Sequence, residues 1–101
     1  MARLDVYPMP GTAAAGYVMD VQAPLLDGLA TRVVVPMIPL ALAPAPIREL
    51  NPVFSIKGEP HVMLTQALAT VKLRKLRSAE QSLDEHHDAI TKALDVLFSG
   101  F

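Results

Sequence analysis

SLDEHHDAITKALDVLFSGF, residues 82–101, is the stretch that decides how the rest of the chain is read. Leu83, His87, Ile90, Leu94, Leu97 and Phe98 recur at helical spacing along one stripe, with Ala93 at its edge, while Asp84, Asp88, Thr91, Lys92, Asp95 and Ser99 fall opposite. Ser82 and Glu85 have the spacing of a capping box. Asp84, Glu85 and Asp88 put negative charge in the first turns, where the helix dipole favours it. The pattern predicts one amphipathic helix whose apolar stripe must cover something, and Gly100 is placed to stop it.

The upstream sequence supplies strands for that stripe to cover. Residues 3–7 alternate, with Leu4 and Val6 on one side and Arg3, Asp5 and Tyr7 on the other, which is the period of a half-buried strand. The small residues of 10–16 read as a loop or hairpin tip, and extended structure resumes over 17–21 until Pro24 ends it. After the turn-like pair Asp27 and Gly28, residues 32–38 (RVVVPMI) are apolar on both faces and predict a central strand covered from both sides. Pro36 cannot donate a ladder hydrogen bond, so a bulge or the strand's end is expected near it. The Pro/Ala-rich residues 39–46 read as a connection packed on the core through Leu40 and Leu42. Residues 52–56 and 61–64 flank a Gly-containing turn at 57–60 and predict a hairpin, and Val71 and Leu73 mark a last strand. Strands followed by one terminal helix give an α+β arrangement, a mainly antiparallel sheet covered on one face by the helix, in one domain over 1–101.

Composition narrows the function. Half the residues are apolar and the formal net charge is -1, so neither disorder nor a global nucleic-acid-binding charge is expected. With no cysteine, a disulfide framework, a thiolate zinc site and a cysteine nucleophile are excluded together, and a reducing cytoplasm is the expected location. Asp5 and two early prolines interrupt the apolar run that a secretion signal needs, and four prolines break the uncharged tract 33–47, so no membrane span is expected.

Three groups of residues are candidates for chemistry. Lys72, Arg74, Lys75 and Arg77 form one basic run, readable either as a phosphate-binding strand edge or as a charged edge that resists aggregation. No aromatic platform is interleaved with them. His86 and His87 are adjacent, so on a helix they point about 100° apart and do not chelate one ion; they read as solvated. His61 stands alone beside a predicted turn with no identifiable partner, and there is no nucleophile elbow or phosphate loop. The C-terminus breaks local rules instead. Its last turn carries Asp95 and is followed by the Phe101 carboxylate, each opposing the dipole by roughly 0.3–1 kcal/mol. Either Phe101 folds back on the apolar stripe, or an acidic aromatic end is left open for a basic partner.

The segments DVQ-x2-LLD (20–27), RVVVP (32–36), REL-x-P (48–52), VMLTQ (62–66) and the closing AL-x-VLF-x-GF (93–101) together resemble the CcdB family, in order and spacing, from Tyr17 onward. The resemblance implies an SH3-like, barrel-type sheet with a long C-terminal helix, a homodimer, and no enzymatic activity. It implies a type II toxin that wedges into the DNA gyrase A subunit dimer and traps the gyrase–DNA cleavage complex, without cofactors. A cognate CcdA-like antitoxin would neutralise it through a disordered arm, and operator DNA would be reached only through that antitoxin. By the same resemblance the gyrase contacts are Asp95, Phe98, Ser99, Gly100 and Phe101, with Leu25 nearby.

Three positions depart from the family. It has an amide where this chain has Asp95, a tryptophan at Ser99, and an aliphatic end at Phe101. The tryptophan stacks on gyrase arginines, and serine offers no π-face. Losing such a hot spot commonly costs about 2 kcal/mol, near thirtyfold in affinity. Either Phe101 takes over the stacking, with Asp95 and the terminal carboxylate pairing with arginine, or the chain is a non-poisoning, antitoxin-binding relative. A third reading is an endoribonuclease on a related fold, for which Arg74, Arg77 and His61 are the available recruits.

Overall fold

In this computed structural model the described residues are 2–11 and 16–100. They form β1 (Asp5–Pro8), β2 (Tyr17–Asp20), β3 (Thr31–Pro39), β4 (Val53–Ile56), β5 (Glu59–Met63), β6 (Ala69–Lys72), β7 (Gln81–Ser82) and the helix α1 (His87–Ser99). Every strand pair is antiparallel. The strand order is β4-β5-β3-β2-β1-β7, with β6 also paired to β3.

A single side chain brings the two ends of this path together. Gln81 on β7 donates from Nε2 to the Ser55 carbonyl on β4 at 2.9 Å and accepts the Lys57 N–H at 3.1 Å. The amide stands in for a missing strand, and the sheet becomes a nearly closed barrel. With one C-terminal helix, this is the expected α+β fold.

The central strand follows its composition. Val35 and Met37 enter the main core with Leu4, Met19 and Met63, while Val34 joins Tyr7 and Val18 in a smaller cluster. Both faces of β3 are therefore covered. The expected break at Pro36 does not occur, because β3 runs on to Pro39. Past Val34 its neighbour changes from β6 to β5, and the Pro36 carbonyl accepts the Leu64 N–H at 2.9 Å. The return bond that proline cannot make falls at this changeover, where it costs the ladder least. The β4–β5 hairpin turns on Lys57 and Gly58, with φ of 54° and 83°, the two left-handed residues of a type I′ turn.

Four expectations are corrected. Ser82 ends β7 and its Oγ accepts the Asp84 N–H at 3.2 Å, so no capping box forms. A 3₁₀ turn, Asp84–His86, precedes α1, so Leu83 lies outside the helix whose apolar stripe it was expected to open. Leu83, Ile90 and Ala93 are buried, whereas His87 and Phe98 are exposed. His86 is half-buried, stacking on Phe54 with ring centroids 4.7 Å apart. The 39–46 connection is not packed on the core, since Leu40 and Leu42 are exposed. Leu73 begins a 3₁₀ turn (Leu73–Lys75) rather than extending the strand, and the last strand is β7. No helix among the described residues is long and apolar enough to cross a membrane.

Candidate functional site

The helix end is built by burial on one side only. Ile90 and Ala93 fix α1 against the barrel, and Leu94 packs beside them half-buried. The last turn then projects from this anchor. Asp95, Phe98 and Ser99 are exposed, Phe98 by 69 %. An aromatic ring left that open has little part in the core. Gly100 caps the helix in the left-handed region at φ 77°, donating its N–H to the Val96 carbonyl at 3.0 Å. No basic residue lies in the last turn, and Lys92 pairs at 3.8 Å with Glu49. Among the described residues the acidic character of the end is therefore uncompensated. Phe101, whether folded back or open, lies outside the described residues.

Leu25 is placed by a different device. It sits on a 3₁₀ turn, Pro24–Leu26, and is 92 % exposed. Asp20 and Arg32, buried at the ends of β2 and β3, hold this loop from beneath. Arg32 Nη1 donates to the Leu29 and Thr31 carbonyls, both at 3.0 Å, and Nη2 to the Asp27 carbonyl at 2.9 Å. Gln22 Nε2 donates to the carbonyls of Leu26 at 3.1 Å and Thr31 at 3.2 Å, while its Oε1 accepts the Val33 N–H at 3.0 Å. Five backbone groups, three in the exposed loop (Leu26, Asp27 and Leu29) and two at the start of β3, are thus tied to a buried base. Burial raises the Asp20 carboxyl above its ordinary range, against the lowering effects of the Gln22 N–H and Arg32. Burial likewise raises the Tyr7 phenol, whose hydroxyl has no hydrogen-bond partner among the described residues.

The structure therefore groups Asp95, Phe98, Ser99 and Gly100 on one turn. Leu25 is presented separately, and no hydrogen bond or ion pair among the described residues ties its loop to that turn. The sequence reading missed Gln22 and Arg32 as organisers. The available signal was a lone arginine opening an otherwise apolar strand.

The remaining candidates disperse. His61 is 3 % exposed, with Nδ1 2.9 Å from the Glu59 carbonyl and its ring against Tyr17 at 5.3 Å. It lines a cavity with Lys57 and Glu80, whereas Arg74 and Arg77 line another with Met9 and Gly11. No cluster of metal-ligating side chains occurs among the described residues.

Compared with known families, residues 3–100 match the one described as CcdB protein. Among curated proteins, none matches the chain.

Proposed function

The chain belongs to the CcdB family, toxins of toxin–antitoxin pairs, and from that premise we propose that it poisons DNA gyrase by wedging between the two A subunits. The observation that carries this reading is the last turn of α1, where Phe98 is 69 % exposed beside Asp95 and Gly100. These positions correspond to those the family uses on gyrase, and here they are free of the core. The mechanism is occupation rather than bond chemistry. An aromatic and acidic tip fits an arginine-bearing groove, since guanidinium stacks on rings and pairs with carboxylates. The cleavage and religation chemistry stays with gyrase, so the protein is not an enzyme and takes no cofactor. A homodimer would present two such tips, and the exposed Leu40, Leu42, Ile47 and Val53 offer apolar area for a second copy to cover. A CcdA-like antitoxin would neutralise the toxin in the cytoplasm and carry its only link to operator DNA.

Ser99 favours a second reading, a family member that binds antitoxin without poisoning gyrase. Incubating the purified protein with gyrase, ATP and supercoiled plasmid separates them. Linear DNA released on protein denaturation supports poisoning. Intact plasmid together with an antitoxin complex supports the second reading, and site-specific RNA cleavage would point to a ribonuclease.

A further inference from the structure

The basic run is not where a guard for a sheet edge belongs. Of its four cations only Lys72 lies on β6; Arg74 and Lys75 are on the 3₁₀ turn that follows and Arg77 comes after it. The strand itself, Ala69–Lys72, is otherwise uncharged, with Ala69 and Thr70 exposed. β6 pairs with β3 alone. Leu73 N–H donates to the Ala30 carbonyl at 2.8 Å, and Val71 and Ala69 stand opposite Arg32 and Val34. In an antiparallel ladder the hydrogen-bonded positions alternate, so β6 bonds β3 through its odd-numbered residues. The N–H and C=O groups of Thr70 and Lys72 then face away from the sheet.

Beyond the end of this open edge the cations gather. Arg74, Lys75 and Arg77 line a cleft of about 530 Å³ whose other wall is Pro8, Met9, Pro10 and Gly11. No carboxylate of the described residues pairs with any of the four. The rest of the chain holds five Lys or Arg against ten Asp or Glu, so this is a local positive field on an otherwise acidic protein.

From these two features we infer that β6 and the cleft beside it form a docking site for an extended acidic peptide. The peptide adds as a strand along Thr70 and Lys72, and its carboxylates enter the cleft to meet Arg74, Lys75 and Arg77. An acidic peptide satisfies both features, because it carries strand-forming amides as well as anionic side chains. A nucleic acid backbone has no amides for the open edge, and the run has no aromatic side chain on which bases would stack. This surface is distinct from the helix end and does not depend on gyrase binding.

The test uses the full chain and a short fluorescein-labelled peptide alternating valine and glutamate, followed by anisotropy. Binding is expected to weaken with salt, to vanish when alternate peptide amides are N-methylated, and to fall about tenfold or more in the combined Arg74→Glu, Lys75→Glu and Arg77→Glu variant. Equal binding of the N-methylated peptide would overturn strand addition. Tighter binding of a short DNA duplex at the same salt would overturn the peptide assignment, and so would no binding at all. Should circular dichroism show the triple variant unfolded, the N-methylation comparison on the unaltered chain decides.

Discussion

Arg32 Nε lies 3.6 Å from Asp20 Oδ2 with both residues buried, and that pair is the base on which the exposed Leu25 loop stands. The separation is too long for a hydrogen bond, so charge holds the two groups together while the other guanidinium nitrogens bind the loop's carbonyls. Replacing Arg32→Leu leaves Asp20 buried without a counter-charge and frees the loop carbonyls of Asp27 and Leu29. Breaking such a pair costs about 3–5 kcal/mol. Urea unfolding of the variant measures this directly, and a loss below about 1 kcal/mol would show that water reaches Asp20.

Asp20 also gives stability a pH dependence of definite sign. Its folded carboxyl titrates above the ordinary value of 3.8, so its contribution is fully present below that value and is lost as pH rises through the raised one. The destabilisation caused by Asp20→Asn is therefore expected to be largest in acid and to shrink toward neutral pH. Unfolding curves of both proteins across this range check it; a difference that grows with pH would contradict the direction.

Phe98→Ala separates binding from folding. The ring is 69 % exposed, so thermal stability should stay within about 0.5 kcal/mol of the parent. If the ring is a hot spot for gyrase, affinity for the A subunit should drop about thirtyfold. Unchanged affinity would remove Phe98 from the contact.

Ser99→Trp restores a π-face on the exposed last turn. Stacking on an arginine contributes about 0.5–2 kcal/mol, so gyrase binding should tighten by up to about thirtyfold. Titration calorimetry with the A subunit reads the change. No tightening would mean that the turn meets no arginine there.

Gln81→Ala should loosen the barrel seam. Two hydrogen bonds to the β4–β5 hairpin disappear, worth about 0.5–1.5 kcal/mol each. Hydrogen exchange is expected to speed up at Lys57, whose N–H loses its acceptor. Uniform protection across β4 would show the seam is held otherwise.

The fold class was legible because local patterns and the tertiary result agree over most of the chain. RVVVPMI is apolar on both sides, and β3 is covered on both sides. Pro36 misled because its missing N–H matters only if a partner is waiting for it, and the changeover from β6 to β5 is a property of the sheet. The helix begins one 3₁₀ turn later than Ser82 suggests, and within it only Ile90 and Ala93 of the stripe are buried, which the spacing of apolar residues alone does not reveal. The candidate residues at the helix end could be named from the family pattern and the glycine stop. Their degree of exposure could not, since Phe98 fits the stripe as well as Leu94 does.

By itself the sequence determined an α+β chain, the order of its first six strands and of the helix, the absence of thiol chemistry, and the family through motifs spread over most of its length. These follow from periodicity and residue identity, which are local. Only the tertiary structure decided that Gln81 brings the ends of the sheet together, that Arg32 and Asp20 carry the Leu25 loop, and that β6 pairs among the described residues with β3 alone, beside cations that no described carboxylate pairs. Each of these joins residues far apart in the chain or depends on which partner a strand lacks, and no local pattern encodes either.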